Sequence, residues 1–151
     1  GRGSHDRPVE FDRNGLEILA REECLRLLAA CRLGRLAVSS GALPIILPVN
    51  FLLDSDRILI RTSPETKLDA AVANEVVAFE VDDFDVFSHT GWSVTITGLA
   101  REVTERTELS RAETLPIPHW APADGHLIAI SIDLISGRRI PLDHQHGGSP
   151  S

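Results

Sequence analysis

The segment from Arg61 to Lys67 carries anion-binding residue types where a predicted strand gives way to a predicted helix. The run Ser63-Pro64-Glu65 is typical of a helix start, because serine suits the N-cap, proline the first helical position and glutamate the first turn. A helix N-terminus offers unpaired N–H groups and a partial positive charge, which favour an anion. Arg61 and Lys67 can grip one phosphate from two sides. Hydroxyls that add hydrogen bonds belong to Thr62, Ser63 and Thr66. The alternative is a capped surface helix with two solvated cations.

A second candidate is Pro48-Val49-Asn50, which lies inside an apolar run. Proline cannot donate to a β ladder, so it belongs on an edge strand or where a ligand lies against the backbone. Asn50 adds a polar side chain at the same place. An edge strand with a locally satisfied asparagine is the alternative interpretation.

The third candidate is Trp92, at the start of the strand Gly91-Trp92-Ser93. Its indole offers a flat apolar face and a hydrogen-bond donor at the tip, although a tryptophan buried in the core would look the same. The sequence assigns no role to His89, His119 or Trp120, and it identifies no catalytic residue.

The periodicity predicts a mainly β domain with short helices around it. Its six to seven antiparallel strands follow one another closely, which favours a split β-barrel over a parallel sheet. The predicted strands are 35–39, 44–53, 57–62, 76–81, 91–103, 126–135 and 138–142, and the predicted helices are 21–33, 63–73 and 105–113. We expect the first helix to end near Gly34, a turn at Ser136-Gly137, an acidic loop over 82–90 and an irregular proline-rich segment over 115–124.

Length and composition fit one globular domain of 151 residues. Residues 1–15 are predicted to form a disordered arm that begins with a cloning remnant, residues 16–143 the domain, and residues 144–151 a disordered tail. The formal net charge of −7 argues against a nucleic-acid partner. No apolar stretch is long enough to span a membrane, and no signal-peptide pattern is visible, so we expect a cytoplasmic protein.

No metal site is predicted: Asp82, Asp83 and Asp85 lack the glycine and the distal glutamate of a calcium loop. Cys24 and Cys31 lie too far apart along a helix to pair.

Several of these segments together resemble the pyridoxamine 5′-phosphate oxidase-like family of flavin-binding split barrels, especially its small actinobacterial-type members. In order along the chain, they are Gly34-Arg35-Leu36-Ala37, Pro48-Val49-Asn50-Phe51, Ile60-Arg61-Thr62 with Lys67, Val77-Ala78-Phe79-Glu80-Val81-Asp82, and Gly91-Trp92-Ser93-Val94. The similarity covers roughly residues 19–104, and the match is loose beyond that point.

The resemblance implies a homodimer with two flavin mononucleotide (FMN) sites at the subunit interface. The segment Pro48, Val49 and Asn50 would lie along the isoalloxazine ring, and Trp92 would lie close to the cofactor pocket. The phosphate would be held by Arg61, Thr62, Ser63, Thr66 and Lys67.

The implied function is a flavin-dependent oxidoreductase that acts on an unidentified small molecule. A true pyridoxamine phosphate oxidase is not expected, because the C-terminal third offers only Arg138-Arg139 for a substrate phosphate. The alternatives are a non-catalytic flavin-binding carrier or sensor, and a reductase that uses a deazaflavin coenzyme. The acidic tail of a deazaflavin coenzyme would need more cations than Arg61 and Lys67 supply.

Overall fold

Alternating apolar and polar side chains build one antiparallel sheet of ten strands. The computed structural model describes residues 8–62, 72–117 and 125–141. The strands are β1 (Glu10–Phe11), β2 (Glu17–Ile18), β3 (Leu33–Ser40), β4 (Leu43–Asn50), β5 (Leu52–Asp54), β6 (Arg57–Thr62), β7 (Glu75–Asp85), β8 (Thr90–Glu102), β9 (His126–Ser131) and β10 (Leu134–Arg139). The helices with described bounds are α1 (Arg21–Ala29) and α2 (Arg106–Glu113).

The sheet curls into a half-barrel because β8 pairs with neighbours on two paths. One path runs β1-β2-β10-β8-β7-β3-β4, and the other continues from β8 through β9 and β6 to β5. The two paths approach each other where β4 contacts β6 without pairing with it. The barrel is therefore split between β4 and β6, and the predicted mainly β split barrel is confirmed.

Two hydrophobic clusters hold the sheet in shape. The main cluster fills the inside of the curl and includes Leu28 of α1, so this helix closes one side of the core. Within it, the rings of Phe51 and Phe79 meet edge to face with centroids 4.9 Å apart. The second cluster lies on the other face of β6 and β9, where Ala112 of α2 packs close to Leu59. Helix α2 thus covers the outside of these two strands.

The prediction that α1 runs to residue 33 and ends at Gly34 was wrong. The helix ends at Ala29, and Leu33 already belongs to β3. Gly34 lies in the strand, where a Cβ atom would be 2.5 Å from the ring of Phe79. The glycine therefore serves close packing against Phe79 and does not end the helix.

The acidic loop predicted over 82–90 is also corrected. Strand β7 continues to Asp85 and pairs with β8 as far as the Asp85–Thr90 pair, so the turn is confined to residues 86–89. Ladder hydrogen bonds outweigh the low strand propensity of the aspartates, since each aspartate side chain stays exposed.

Three further boundaries differ from the predictions. The run 44–53 is broken at Phe51, where the chain changes its pairing partner. The Phe51 N–H still donates to the carbonyl of Arg32 at 2.9 Å, in register with β3, whereas Leu52 already pairs with β6. The run 126–135 is divided into β9 and β10. Ser136-Gly137 is not a turn but part of β10, where it pairs with β8. Glycine is required at position 137 because a Cβ atom there would lie 2.6 Å from the Cys24 sulfur.

Part of the N-terminal arm is ordered: strands β1 and β2 form a hairpin that adds to the sheet beside β10. Most of the helix predicted over 63–73 lies outside the described residues, although Val72 is helical and fully buried. Residues 1–7, the tail over 144–151, and His119 and Trp120 also lie outside them. Both cysteines are free thiols. No helix in the described ranges is both long and apolar enough to cross a membrane.

Candidate functional site

The candidate site lies at the split of the barrel, where two of the predicted segments approach each other. Pro48-Val49-Asn50 ends β4, and Arg61-Thr62 ends β6. The chain passes from β4 through Phe51 directly into β5, which pairs with β6. Because β4 also contacts β6, the fold brings these two segments together.

The segment Pro48-Val49-Asn50 of β4 has two faces that differ in solvent exposure, and one of its backbone edges is turned away from β3. Pro48 is exposed and lies opposite Arg35, on the outer face of the sheet. Val49 lies opposite Gly34 and packs against the main core, so its side chain points the other way. Within the described ranges, β4 is hydrogen-bonded only to β3. The other edge of β4 faces the split, as expected for a strand that carries proline.

Arg61 is half-buried on β6 and makes no ion pair with any residue in 8–62, 72–117 or 125–141. It lies on the same face as Leu59, which belongs to the cluster under α2. A partly buried guanidinium normally carries a paired anion. Arg61 is therefore free, as far as the described residues go, to pair with an anion at the end of β6.

Thr62 is only 3% exposed and points to the opposite face from Arg61, because neighbouring residues of a strand alternate. Its hydroxyl donates to the carbonyl of His126 at 3.2 Å. While that hydrogen bond is kept, the hydroxyl can offer a ligand only its lone pairs. Ser63, Thr66 and Lys67, the other predicted phosphate ligands, lie outside the described residues.

Trp92 lies on a different part of the molecule. It is half-buried, packs against the main core and lines a cavity of about 780 Å³ with Phe11, Glu17 and Arg139 among the other lining residues. Neither this cavity nor the adjoining one of about 320 Å³ is lined by the β4 segment. The structure thus brings into contact β4 and β6, the strands that carry Pro48, Asn50 and Arg61, and leaves Trp92 elsewhere in the same chain.

Two polar groups near these sites were missed by the sequence reasoning. His126 lies opposite Thr62 on β9, and its Nδ1 lies 2.7 Å from the Glu102 carboxylate. These residues are 24 positions apart, so only the β8–β9 pairing brings them together.

The second missed group lies on the outer face beside Pro48. Arg35 Nη1 lies 3.4 Å from Glu80 Oε1 and 3.2 Å from Asp82 Oδ2. Burial, together with the hydrogen bond and the negative charge of Asp82, raises the pKa of Glu80 to about 7. The spacing of Glu80 and Asp82 could have revealed this pair, because residues two apart in a strand share a face.

Comparison with known proteins identifies relatives over most of the chain. The family model described as pyridoxamine 5′-phosphate oxidase matches residues 20–139. An uncharacterized protein of Mycobacterium tuberculosis is 40% identical over 130 residues, which are 83% of this chain and 86% of that protein.

Two solved structures share the fold and about a third of the sequence. A FAD-binding protein from Mycobacterium smegmatis is 35% identical with a TM-score of 0.71, over 81% of this chain and 95% of that one. A conserved protein of unknown function from Corynebacterium diphtheriae is 33% identical with a TM-score of 0.70, over 82% of this chain and 96% of that one. The family match spans every strand from β3 to β10, including both segments at the split. This chain therefore belongs to the pyridoxamine 5′-phosphate oxidase family.

Proposed function

We propose that this protein binds FMN at the split of the barrel and uses it as an oxidoreductase on a small molecule. The observation that carries the proposal is the approach of the β4 segment to the end of β6, where Arg61 has no anionic partner among the described residues. The isoalloxazine ring would lie along Pro48, Val49 and Asn50. The phosphate would lie at the end of β6, held by Arg61 and Lys67 with hydrogen bonds from Ser63 and Thr66. Thr62 would add a hydrogen bond only once its hydroxyl leaves the carbonyl of His126.

The chemistry would come from the flavin itself, which transfers hydride or electrons when bound. The chain would supply the binding site, the orientation of the ring and the electrostatics around the phosphate. These separate roles of flavin and protein agree with the sequence, in which no acid–base pair stands out among the candidate residues.

The cofactor ligands can be tested with two single substitutions. Arg61→Ala and Lys67→Ala are each expected to weaken FMN binding by roughly tenfold to a hundredfold, because a charge-assisted hydrogen bond contributes about 1.5–3 kcal/mol. The measurement is quenching of flavin fluorescence on titration. Arg101→Ala, an exposed arginine of β8, is the matched control and should leave affinity unchanged. Equal FMN affinity in all four proteins would overturn the phosphate site.

The identity of the cofactor can be tested by titration with FMN, riboflavin and FAD in parallel. FAD is the second candidate because the similar Mycobacterium smegmatis structure is a FAD-binding protein. Tighter binding of FAD than of FMN would identify FAD, and not FMN, as the cofactor. A deazaflavin coenzyme serves as a fourth probe.

The oxidoreductase function is separated from a carrier or sensor function by reduction of the bound flavin. A nicotinamide donor is expected to bleach the flavin absorbance, and an added acceptor should restore it over many turnovers. A flavin that binds tightly but is never reduced by such a donor would favour the carrier or sensor.

The proposal includes a homodimer with a flavin site at each of two equivalent crevices. Large apolar side chains of β4 are uncovered in the single chain: Leu43 and Ile46 are each 70% exposed. These two side chains point to opposite faces of the strand, so both faces of β4 leave apolar surface for a partner to cover. A second copy would also supply a second Trp92, which the fold of one chain places away from β4. Light scattering should give twice the chain mass of 16.5 kDa. A monomer that binds FMN tightly would rule out the shared site.

A further inference from the structure

The cavity beside Trp92 lies on the inner face of the sheet, beyond the end of the main core. Strand pairing places one row of side chains along its wall, on five neighbouring strands: Phe11, Glu17, Arg139, Trp92 and Asp83. Directly paired residues share a face, and Trp92 is two residues from the buried Val94, so this row faces the inside of the curl. The volume of about 780 Å³ suits a small organic molecule.

Two aromatic side chains give the cavity flat apolar walls. Trp92 is half-buried against the main core, whereas Phe11 is 55% exposed, so much of its ring is open to a ligand. A flat ring packs well on such walls, and an indole also attracts a cation that lies over its face.

The charges that line the cavity are mainly negative. Three carboxylates (Glu17, Asp83 and Asp85) and one guanidinium (Arg139) line it, so the lining carries a net charge of −2 when all four are ionised. Arg139 is shared by Glu17 at 3.7 Å and Glu23 at 3.1 Å. Among the residues that the structure describes, neither Asp83 nor Asp85 forms an ion pair. Such a cavity attracts cations and repels anions.

We propose that this cavity binds the small molecule on which the flavin acts, and that this molecule is an aromatic compound with a protonated amine. Its ring would lie against Trp92 and Phe11. Asp83 and Asp85 are two residues apart on β7 and point to the same face, so one ammonium group can donate to both. The role as substrate site rests on the function proposed above, in which a second copy supplies Trp92, whereas the binding of the cation does not.

A substrate with a phosphate or carboxylate group is the alternative that the two C-terminal arginines suggest. Arg138 is paired with Asp12 at 3.0 Å, and Arg139 is paired with Glu17 and Glu23. Both guanidinium groups therefore already have carboxylate partners. The surplus of carboxylates on the cavity wall disfavours an anionic substrate further.

The test is isothermal titration of the purified full chain, with and without FMN, at pH 7. The probes are tryptamine, tryptophol and indole-3-propionate, which share an indole ring and a two-carbon linker and end in a cation, a neutral group and an anion. Tryptamine should bind at least about threefold more tightly than tryptophol, as an exposed ion pair and a cation–π contact would give. Indole-3-propionate should bind most weakly. Equal affinity for all three probes, or tightest binding of indole-3-propionate, would overturn the inference.

Single substitutions separate the charge from the apolar walls. Asp83→Asn should lower tryptamine affinity by about twofold to fivefold and leave tryptophol affinity unchanged. Glu75→Gln removes the same charge from the far end of β7 and is the matched control, which should keep wild-type affinities. Phe11→Ala should weaken all three probes alike, because it removes apolar wall and no charge. An Asp83→Asn variant that binds tryptamine as wild type does would overturn the charged site.

The outcomes also separate this inference from the proposed function. Tryptamine should shift the absorbance spectrum of bound FMN, and binding without any shift would overturn the role as substrate site. A chain that binds FMN but not tryptamine would overturn the inference and leave the flavin function standing. Tryptamine binding in the predicted order by a chain that binds no flavin would support the cation site and contradict the proposed function.

Discussion

At the scale of single residues, a few positions accept only glycine, because neighbouring atoms lie where a Cβ atom would be. Gly98 on β8 is the clearest case, because a Cβ atom there would lie 1.6 Å from the carbonyl oxygen of Ser131. Backbone cannot move as a flexible side chain can, so β8 would have to separate from the chain at the end of β9. The Leu99 N–H donates to the Ser131 hydroxyl at 3.1 Å, and this contact would be disturbed as well.

We therefore expect Gly98→Ala to destabilise the fold by about 3 kcal/mol, at the upper end of the cost of overpacking. The measurement is the urea unfolding midpoint. Gly41→Asn is the control, since Gly41 has a φ of +63° with no heavy atom near its Cβ position, and asparagine tolerates this conformation. Equal stability of the Gly98 variant and wild type would contradict the close contact between β8 and Ser131.

Residue patterns predicted the buried faces well, and they failed where a contact came from distant sequence. In β8 the alternating pattern agrees with the structure, since Val94 and Ile96 are both fully buried. The same reasoning assigned Gly34 to a helix end, because nothing local shows that the ring of Phe79 packs against it. It likewise missed the hydrogen bond between His126 and Glu102, which depends on strand pairing.

At the scale of elements, a charge cluster fastens α2 to the β5–β6 hairpin. The guanidinium of Arg111 donates to the two oxygens of Asp54 at 2.8 and 2.9 Å, and Arg57 donates to the same carboxylate at 3.2 Å. The hydrogen bond from Arg111, with that from Arg57, lowers the pKa of Asp54 below its usual value. Because this pKa is lowered by folding, the ionised carboxylate stabilises the fold above the unfolded-state pKa and loses that contribution as the pH falls.

Asp54→Asn is accordingly expected to cost about 1.5 kcal/mol at pH 7, since Arg111 would lose the carboxylate that accepts both of its hydrogen bonds and Arg57 would keep only Glu108, at 3.4 Å. The difference from wild type should shrink as the pH is lowered through the Asp54 titration, below about pH 4. Thermal unfolding from pH 7 down to pH 3 measures both effects. Asp56→Asn, an exposed neighbour in the same turn, is the control. A destabilisation that is the same at pH 7 and pH 3 would show that the carboxylate charge is not the cause.

The elements show which boundaries local sequence can predict. Helix α2 was expected over 105–113 and is found over 106–113, because its periodicity is local. Strand β7 was predicted too short, since its acidic end is held only by pairing with β8. The break at Phe51 was missed because it marks a change of pairing partner, from β3 before it to β6 after it.

At the scale of the whole molecule, the proposed cofactor site depends on the split in the barrel between β4 and β6. The chain passes from β4 through Phe51 into β5, and the antiparallel pairing of β5 with β6 returns the end of β6 towards β4. The two segments were predicted from residue types, whereas their approach follows from this β5–β6 pairing. The exposed apolar side chains of β4, Leu43 and Ile46, mark the surface on which we expect the second copy.

The central claim is that this site recognises the phosphate of a flavin. The most direct measurement is isothermal titration of the purified, flavin-free chain with FMN and with riboflavin, which differ only by that phosphate. We predict one FMN per chain and an affinity for FMN at least about tenfold above that for riboflavin, as one charge-assisted hydrogen bond would give. Equal affinity for the two flavins, or no binding of either, would contradict the account.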